Sequence, residues 1–156
     1  MIVINYGDQM KKYKISFSIK GLVAVTLVMI PNILYSLIPY NTNLLEYDEA
    51  FGVLDILENI FRVILIITLI GIVNTDNSQK IGGFESISAY LFLSAYYLMW
   101  IMLFLGMSNA FIYIGLAVFP CAFFLITSII LRNYPACFAA VVFAAFHIII
   151  TYRNYL

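Results

Sequence analysis

The chain has 156 residues, 64% of them hydrophobic and only 10% charged, against the roughly 25% charged that soluble domains carry. This excludes an ordinary soluble domain and points to an integral membrane protein. Eight basic and eight acidic residues cancel, and Lys11, Lys12, Lys14 and Lys20 form the largest basic group, so a nucleic-acid partner has no electrostatic footprint.

Residues 1–14 are polar, and an apolar run over about 15–40 follows, interrupted by Lys20. It lacks the short apolar core and small-residue cleavage site of a secretory leader and reads as an uncleaved first helix. Pro31-Asn32 lies inside it. Proline lacks the amide hydrogen and frees a carbonyl one turn earlier, so a kink is expected there. Residues 41–50 carry Glu46, Asp48 and Glu49 and read as an aqueous loop or helix start, where acids suit the positive end of the next helix. A second apolar run covers about 51–73, and the Asn-, Ser- and Gly-rich stretch 74–83 reads as a loop. Three more runs cover about 85–105, 110–131 and 136–152. Each run reaches or nearly reaches the roughly 20 residues that cross a bilayer core.

The expected fold is therefore all-α, a bundle of five transmembrane helices forming one membrane domain over residues 1–156. With the N-terminus inside, Lys11, Lys12, Lys14, Lys20, Lys80 and Arg132 are cytoplasmic and only Arg153 is external, which places the C-terminus outside in a multi-pass plasma-membrane protein. Tyr13, Tyr40, Tyr47, Tyr134, Tyr152 and Tyr155 near the helix ends suit an interfacial belt. Five spans do not divide into two equal halves, so an inverted repeat is not expected, and any symmetry would come from a homo-oligomer.

The second run carries the main polar signal. At 100° per residue, Asp55, Glu58, Asn59 and Arg62 share an arc of about 100°, and the stripe continues apolar through Ile66, Leu69 and Val73. Charged groups in hydrocarbon usually face a bundle interior or a wet cavity. At about 1.5 Å per helical residue, Asn32, Glu58, Asn59, Tyr97, Trp100 and His147 lie about 8 to 12 Å below the external surface, with Asp55 above and Arg62 below. On the fifth run Ala136, Ala140, Ala144, His147 and Thr151 form one face, and small residues let membrane helices approach closely. Ser86, Tyr90, Ser94 and Tyr97 make a stripe on the third run that is expected to turn inward, with Tyr96 pointing elsewhere. The fourth run adds Tyr113 and the backbone around Pro120.

These residues suggest an outward-facing polar pocket, formed by Asn32, Asp55, Glu58, Asn59, Arg62, Tyr97, Trp100 and His147, that binds or transports a small anionic or amphiphilic ligand. In this reading Arg62 meets the anionic group, Asp55 and Glu58 hold Arg62, and Tyr97, Trp100 and His147 line the walls. One alternative is a membrane-embedded enzyme acting on a lipid-linked substrate, with Glu58 and His147 as an acid/base pair. Another is a structural or accessory subunit in which Glu58 and Arg62 are an i, i+4 ion pair that joins helices. No metal and no cofactor is expected, because no His-x-x-x-His or Glu-x-x-His spacing occurs and Arg62 disfavours a cation. Cys121, expected near mid-bilayer, and Cys137, expected near the cytoplasmic face, are too far apart for a disulfide and read as small packing residues.

Pro31-Asn32, the segment Leu54-Asp55-Ile56-Leu57-Glu58-Asn59-Ile60-Phe61-Arg62 and the ending His147-Ile148-Ile149-Ile150-Thr151-Tyr152 resemble uncharacterised small multi-span membrane proteins of low-GC Gram-positive bacteria. The resemblance covers most of the chain and implies a membrane location without an activity. Size and span number are also similar to the translocator-protein/tryptophan-rich sensory family, but the single Trp100 departs from its tryptophan-rich pattern.

Overall fold

The computed structural model describes residues 13–37, 52–75 and 82–155. These contain β1 (Tyr13–Ile15), α1 (Ile19–Leu37), α2 (Val53–Gly71), β2 (Ile72–Asn74), α3 (Gly83–Phe104), α4 (Ala110–Ile130) and α5 (Tyr134–Tyr155). The expectations for Lys11, Lys12, Tyr40, Glu46, Tyr47, Asp48, Glu49 and Lys80 lie outside the described residues.

Local chemistry sets the helix ends. The Ser18 hydroxyl accepts the Gly21 amide at 3.0 Å and starts α1 four residues later than the apolar run does. Residues 13–15 instead pair antiparallel with β2, Lys14 opposite Val73, so Val73 extends the α2 stripe as strand, not helix. Asp55 reaches back to the Gly52 amide at 2.9 Å, and Asn109 accepts the Ile112 amide at 3.0 Å. Helix α3 ends at Gly106, φ 81°, where the Met107 amide bonds back to the Met102 carbonyl at 3.1 Å. Helix α4 ends the same way with Arg132 in the left-handed position, φ 51°, and the Asn133 amide on the Ser128 carbonyl at 2.9 Å.

Helix α3 packs on α4, α4 on α5 and α5 on α2, while α1 lies against α2 and meets α3 and α4 more sparsely, closing a ring. Glycines set the two tightest approaches. A Cβ at Gly21 would sit 2.0 Å from the Leu69 carbonyl oxygen, and one at Gly115 would sit 2.7 Å from Met99 Cγ. On α5, Ala136 and Ala140 are buried and Ala144 is packed beside them. Cys121 is buried, Cys137 is half-buried, and both thiols are free.

A polar lock holds the end of the bundle that carries the strands. Asn133, 1% exposed, donates to the carbonyls of Thr68 at 2.7 Å and Ile72 at 2.9 Å and accepts the Ala136 amide at 3.1 Å. The Arg132 carbonyl accepts from the Asn74 amide at 3.0 Å and the Tyr13 hydroxyl at 3.3 Å. Burial pushes the Tyr13 hydroxyl above its ordinary pKa and keeps it a donor.

Helices α1, α3, α4 and α5 are long and apolar enough to cross a membrane. Helix α2 is not among them, which corrects the expectation of five spans. Its 19 residues are as apolar as those of its neighbours but include Asp55, Glu58 and Arg62, three charged side chains of a kind that is costly in hydrocarbon.

Candidate functional site: a polar cavity inside the ring

All five helices line a cavity of about 390 Å³. Most of its residues come from the C-terminal halves of α1, α3 and α5 and the N-terminal halves of α2 and α4, the end opposite the β1–β2 pair. It descends past Arg62 to Val25, Leu65, Phe124 and Phe143.

On α2, Glu58 is 6% exposed. Its Oε1 accepts from Arg62 Nη2 one turn on and lies 3.0 Å from His147 Nδ1 on α5. An ionised carboxylate only accepts, so with Glu58 charged the His147 proton sits on Nδ1. Phe143 braces both partners: its ring stacks on His147 at 5.1 Å and lies under the Arg62 guanidinium at 5.7 Å, a cation–π distance. The Arg62 side chain remains 43% exposed against 7% for Glu58, so the acid is sealed in the bundle and the cation faces open space.

Pro31 organises the opposite wall. Without a proline amide, the Leu27 carbonyl loses its helical donor, and the Tyr97 hydroxyl donates to it at 2.7 Å. The next carbonyl, Val28, accepts from the Tyr96 hydroxyl at 3.0 Å and from Asn32 Nδ2 at 2.9 Å. Asn32 Nδ2 also donates to the Tyr96 oxygen at 2.8 Å. Asn32 therefore both ties Tyr96 to the α1 backbone and lines the cavity. Beyond Tyr96, Trp100 stands between Tyr35 and Phe104, at ring distances of 5.5 Å to each. Tyr113 and Tyr155 stack at 4.3 Å and also line the cavity.

Of the eight residues expected at the site, Asn32, Glu58, Arg62, Trp100 and His147 line the cavity. Asp55 instead caps α2 at Gly52 and does not hold Arg62. Asn59 is exposed on the outside of α2. Tyr97 and Tyr96 exchange the expected parts. Tyr96 is 2% exposed and lines the cavity, whereas Tyr97 is half-buried and spends its hydroxyl on Leu27. The expected inward stripe of α3 fails with it: Tyr90 and Ser94 are exposed, because the helix buries Ala89, Tyr96, Met99, Trp100 and Leu103 instead. That heptad-like run of large and small residues is visible in the sequence, but the hydroxyl pattern points the other way. Asn133 and Phe143 have no comparable signal, since neither role exists until another helix is packed against it.

Among the described residues no three His, Cys, Asp or Glu side chains gather to hold a metal ion. Fold and cavity define a class: a ring of helices, mostly of membrane-crossing length and composition, around an aromatic-walled space with a guanidinium, a carboxylate and an imidazole in contact. Comparison of the chain with protein-family models, curated proteins and solved structures found no match.

Proposed function

We propose that this protein is a multi-pass plasma-membrane protein whose cavity binds or carries a small anionic or amphiphilic ligand, with Arg62 meeting the anionic group. The observation that carries this reading is the asymmetry of the Glu58–Arg62 pair. The carboxylate is enclosed and held by His147 as well, while the guanidinium is exposed to the cavity. A guanidinium has five N–H donors, so Glu58 and Phe143 fix its position and still leave donors for a ligand. The apolar walls at Val25, Leu65, Phe124 and Phe143 suit a hydrocarbon tail, and the cavity volume falls within the roughly 300–1,000 Å³ of small-molecule sites.

In this reading the ring encloses Glu58 of α2 and keeps it from the surrounding lipid. The end carrying Lys14, Lys20 and Arg132 is cytoplasmic and the cavity opens outward.

The test is replacement of Arg62 by Met. Wild-type protein should gain thermal stability from anionic amphiphiles and Arg62→Met should lose that gain while remaining folded. Equal stabilisation of both would remove Arg62 from the role.

The 3.0 Å contact between Glu58 and His147 on one cavity also favours a second reading, acid/base chemistry on a lipid-linked substrate, which needs both groups within reach of one substrate atom. An accessory subunit whose polar layer is fully paired is favoured less, because such a layer would leave no cavity.

A further inference from the structure

Trp100 is 4% exposed and lines the cavity. Among the described residues, its Nε1 is the buried side-chain nitrogen or oxygen without a hydrogen-bond partner. Its neighbours in the cavity are otherwise engaged. The Tyr96 ring lies edge-on to the indole at 6.3 Å. Its hydroxyl is near the indole N–H but makes no hydrogen bond of proper geometry with it, being directed to Val28 and taking the Asn32 amide. Glu58 is taken by Arg62 and His147. Buried donors without partners are rare in folded proteins and ask for an occupant. A lone water needs two to four polar partners, and the Tyr96 hydroxyl beside Trp100 is already bonded to Val28 and Asn32.

We propose that the ligand presents a neutral carbonyl oxygen to the Trp100 indole N–H while its anionic group meets Arg62, which makes it a single-chain anionic amphiphile with an ester or amide linkage. This rests on the reading of the cavity as a ligand site and narrows the ligand's chemistry. The indole nitrogen is donor-only, so its partner must be an acceptor. A carbonyl fits better than a hydroxyl, which would bring a donor of its own into the same aromatic pocket. Arg62 and Trp100 stand on different helices, α2 and α3, so one ligand spans two polar points joined by an apolar wall. A cavity of about 390 Å³ is near the small end of ligand sites and suits one acyl chain. An acyl lysolipid from the membrane and a water-soluble acyl amino acid share this chemistry.

Two matched probe pairs test it on the full chain in nanodiscs: N-lauroylglycine against myristate, and lauroyl lysophosphatidate against dodecyl phosphate. Wild-type protein should bind the carbonyl-bearing member of at least one pair about tenfold more tightly, the worth of one hydrogen bond. The preferred pair tells the soluble source from the lipid source. Trp100→Phe, which keeps the ring and removes the donor, should shrink that preference to about twofold or less. Trp100 is also the single tryptophan, so wild-type emission should shift to longer wavelength with the carbonyl-bearing probe and not with its partner, which decides the matter even if the variant misfolds. Equal binding within both pairs while Arg62→Met weakens all probes would overturn the carbonyl contact and leave the cavity as a ligand site. A preference that survives in Trp100→Phe would overturn that contact as well. Binding of no probe, or binding indifferent to Arg62→Met, would overturn both the contact and the ligand site.

Discussion

Glu58 joins the guanidinium and the imidazole of the cavity, since Arg62 and His147 meet at its one oxygen. Removing one partner of a fully buried pair destabilises by about 3–5 kcal/mol, mostly by stranding the other charge. Here Arg62 and His147 are 43% and 26% exposed and water relieves them, so Glu58→Ala is expected to lose about 1–2 kcal/mol. Glu58→Gln, which keeps an acceptor oxygen of the same shape, should lose less. Thermal unfolding in mild detergent measures both, and an Ala variant as stable as wild type would mean that the three groups do not depend on one another. Asn32 and Tyr96 differ in kind. Both bond the Val28 carbonyl beside Pro31, so their place in the cavity wall is fixed by the main chain as much as by any ligand.

At the level of elements, α1 is held at its two ends by different means. Near its start Gly21 lets the α2 backbone come so close that any side chain would meet the Leu69 carbonyl, and Ser16 and Ser18 hand their amides to the carbonyls of Gly71 and Ile70 at 3.0 and 2.8 Å. Near its end the tie is the polar contact of Asn32, Tyr96 and Tyr97. Gly21→Ala must separate two backbones and is expected to cost about 1–3 kcal/mol by overpacking. Gly71→Ala, with nothing within 4 Å of the added carbon, should be neutral or slightly stabilising in a helix. The contrast between the two melting temperatures is the measurement, and equal effects would refute the close approach. The helix runs unbroken through Pro31, and the carbonyl that Pro31 frees is the one that Tyr97 finds.

At the scale of the whole molecule the two ends of the ring differ in chemistry. One is closed by the β1–β2 pair, Asn133 and the Arg132 carbonyl, and carries Lys14 and Lys20, while the other opens into the cavity. With the proposed orientation, in a background with Cys121 and Cys137 replaced by Ala, a cysteine introduced by Lys14→Cys should resist a membrane-impermeant maleimide in intact cells. One introduced by Ser108→Cys, in the opposite turn, should react. The reverse pattern would turn the cavity toward the cytoplasm.

The apolar helices and the charged stripe of α2 were legible from residue order alone, because length, hydropathy and a 3.6-residue period are local properties. The same is true of Pro31, of Glu58 with Arg62, and of the small-residue face ending in His147. Tertiary structure decided which face of α3 turns inward, that Asp55 caps its own helix, and that Asn133 bridges α2 to the start of α5. It also left the Trp100 N–H without a partner. Each of these depends on which backbone groups a neighbouring helix presents, and the direction of a side chain in a nearly uniform apolar helix is set by that neighbour, not by its own pattern.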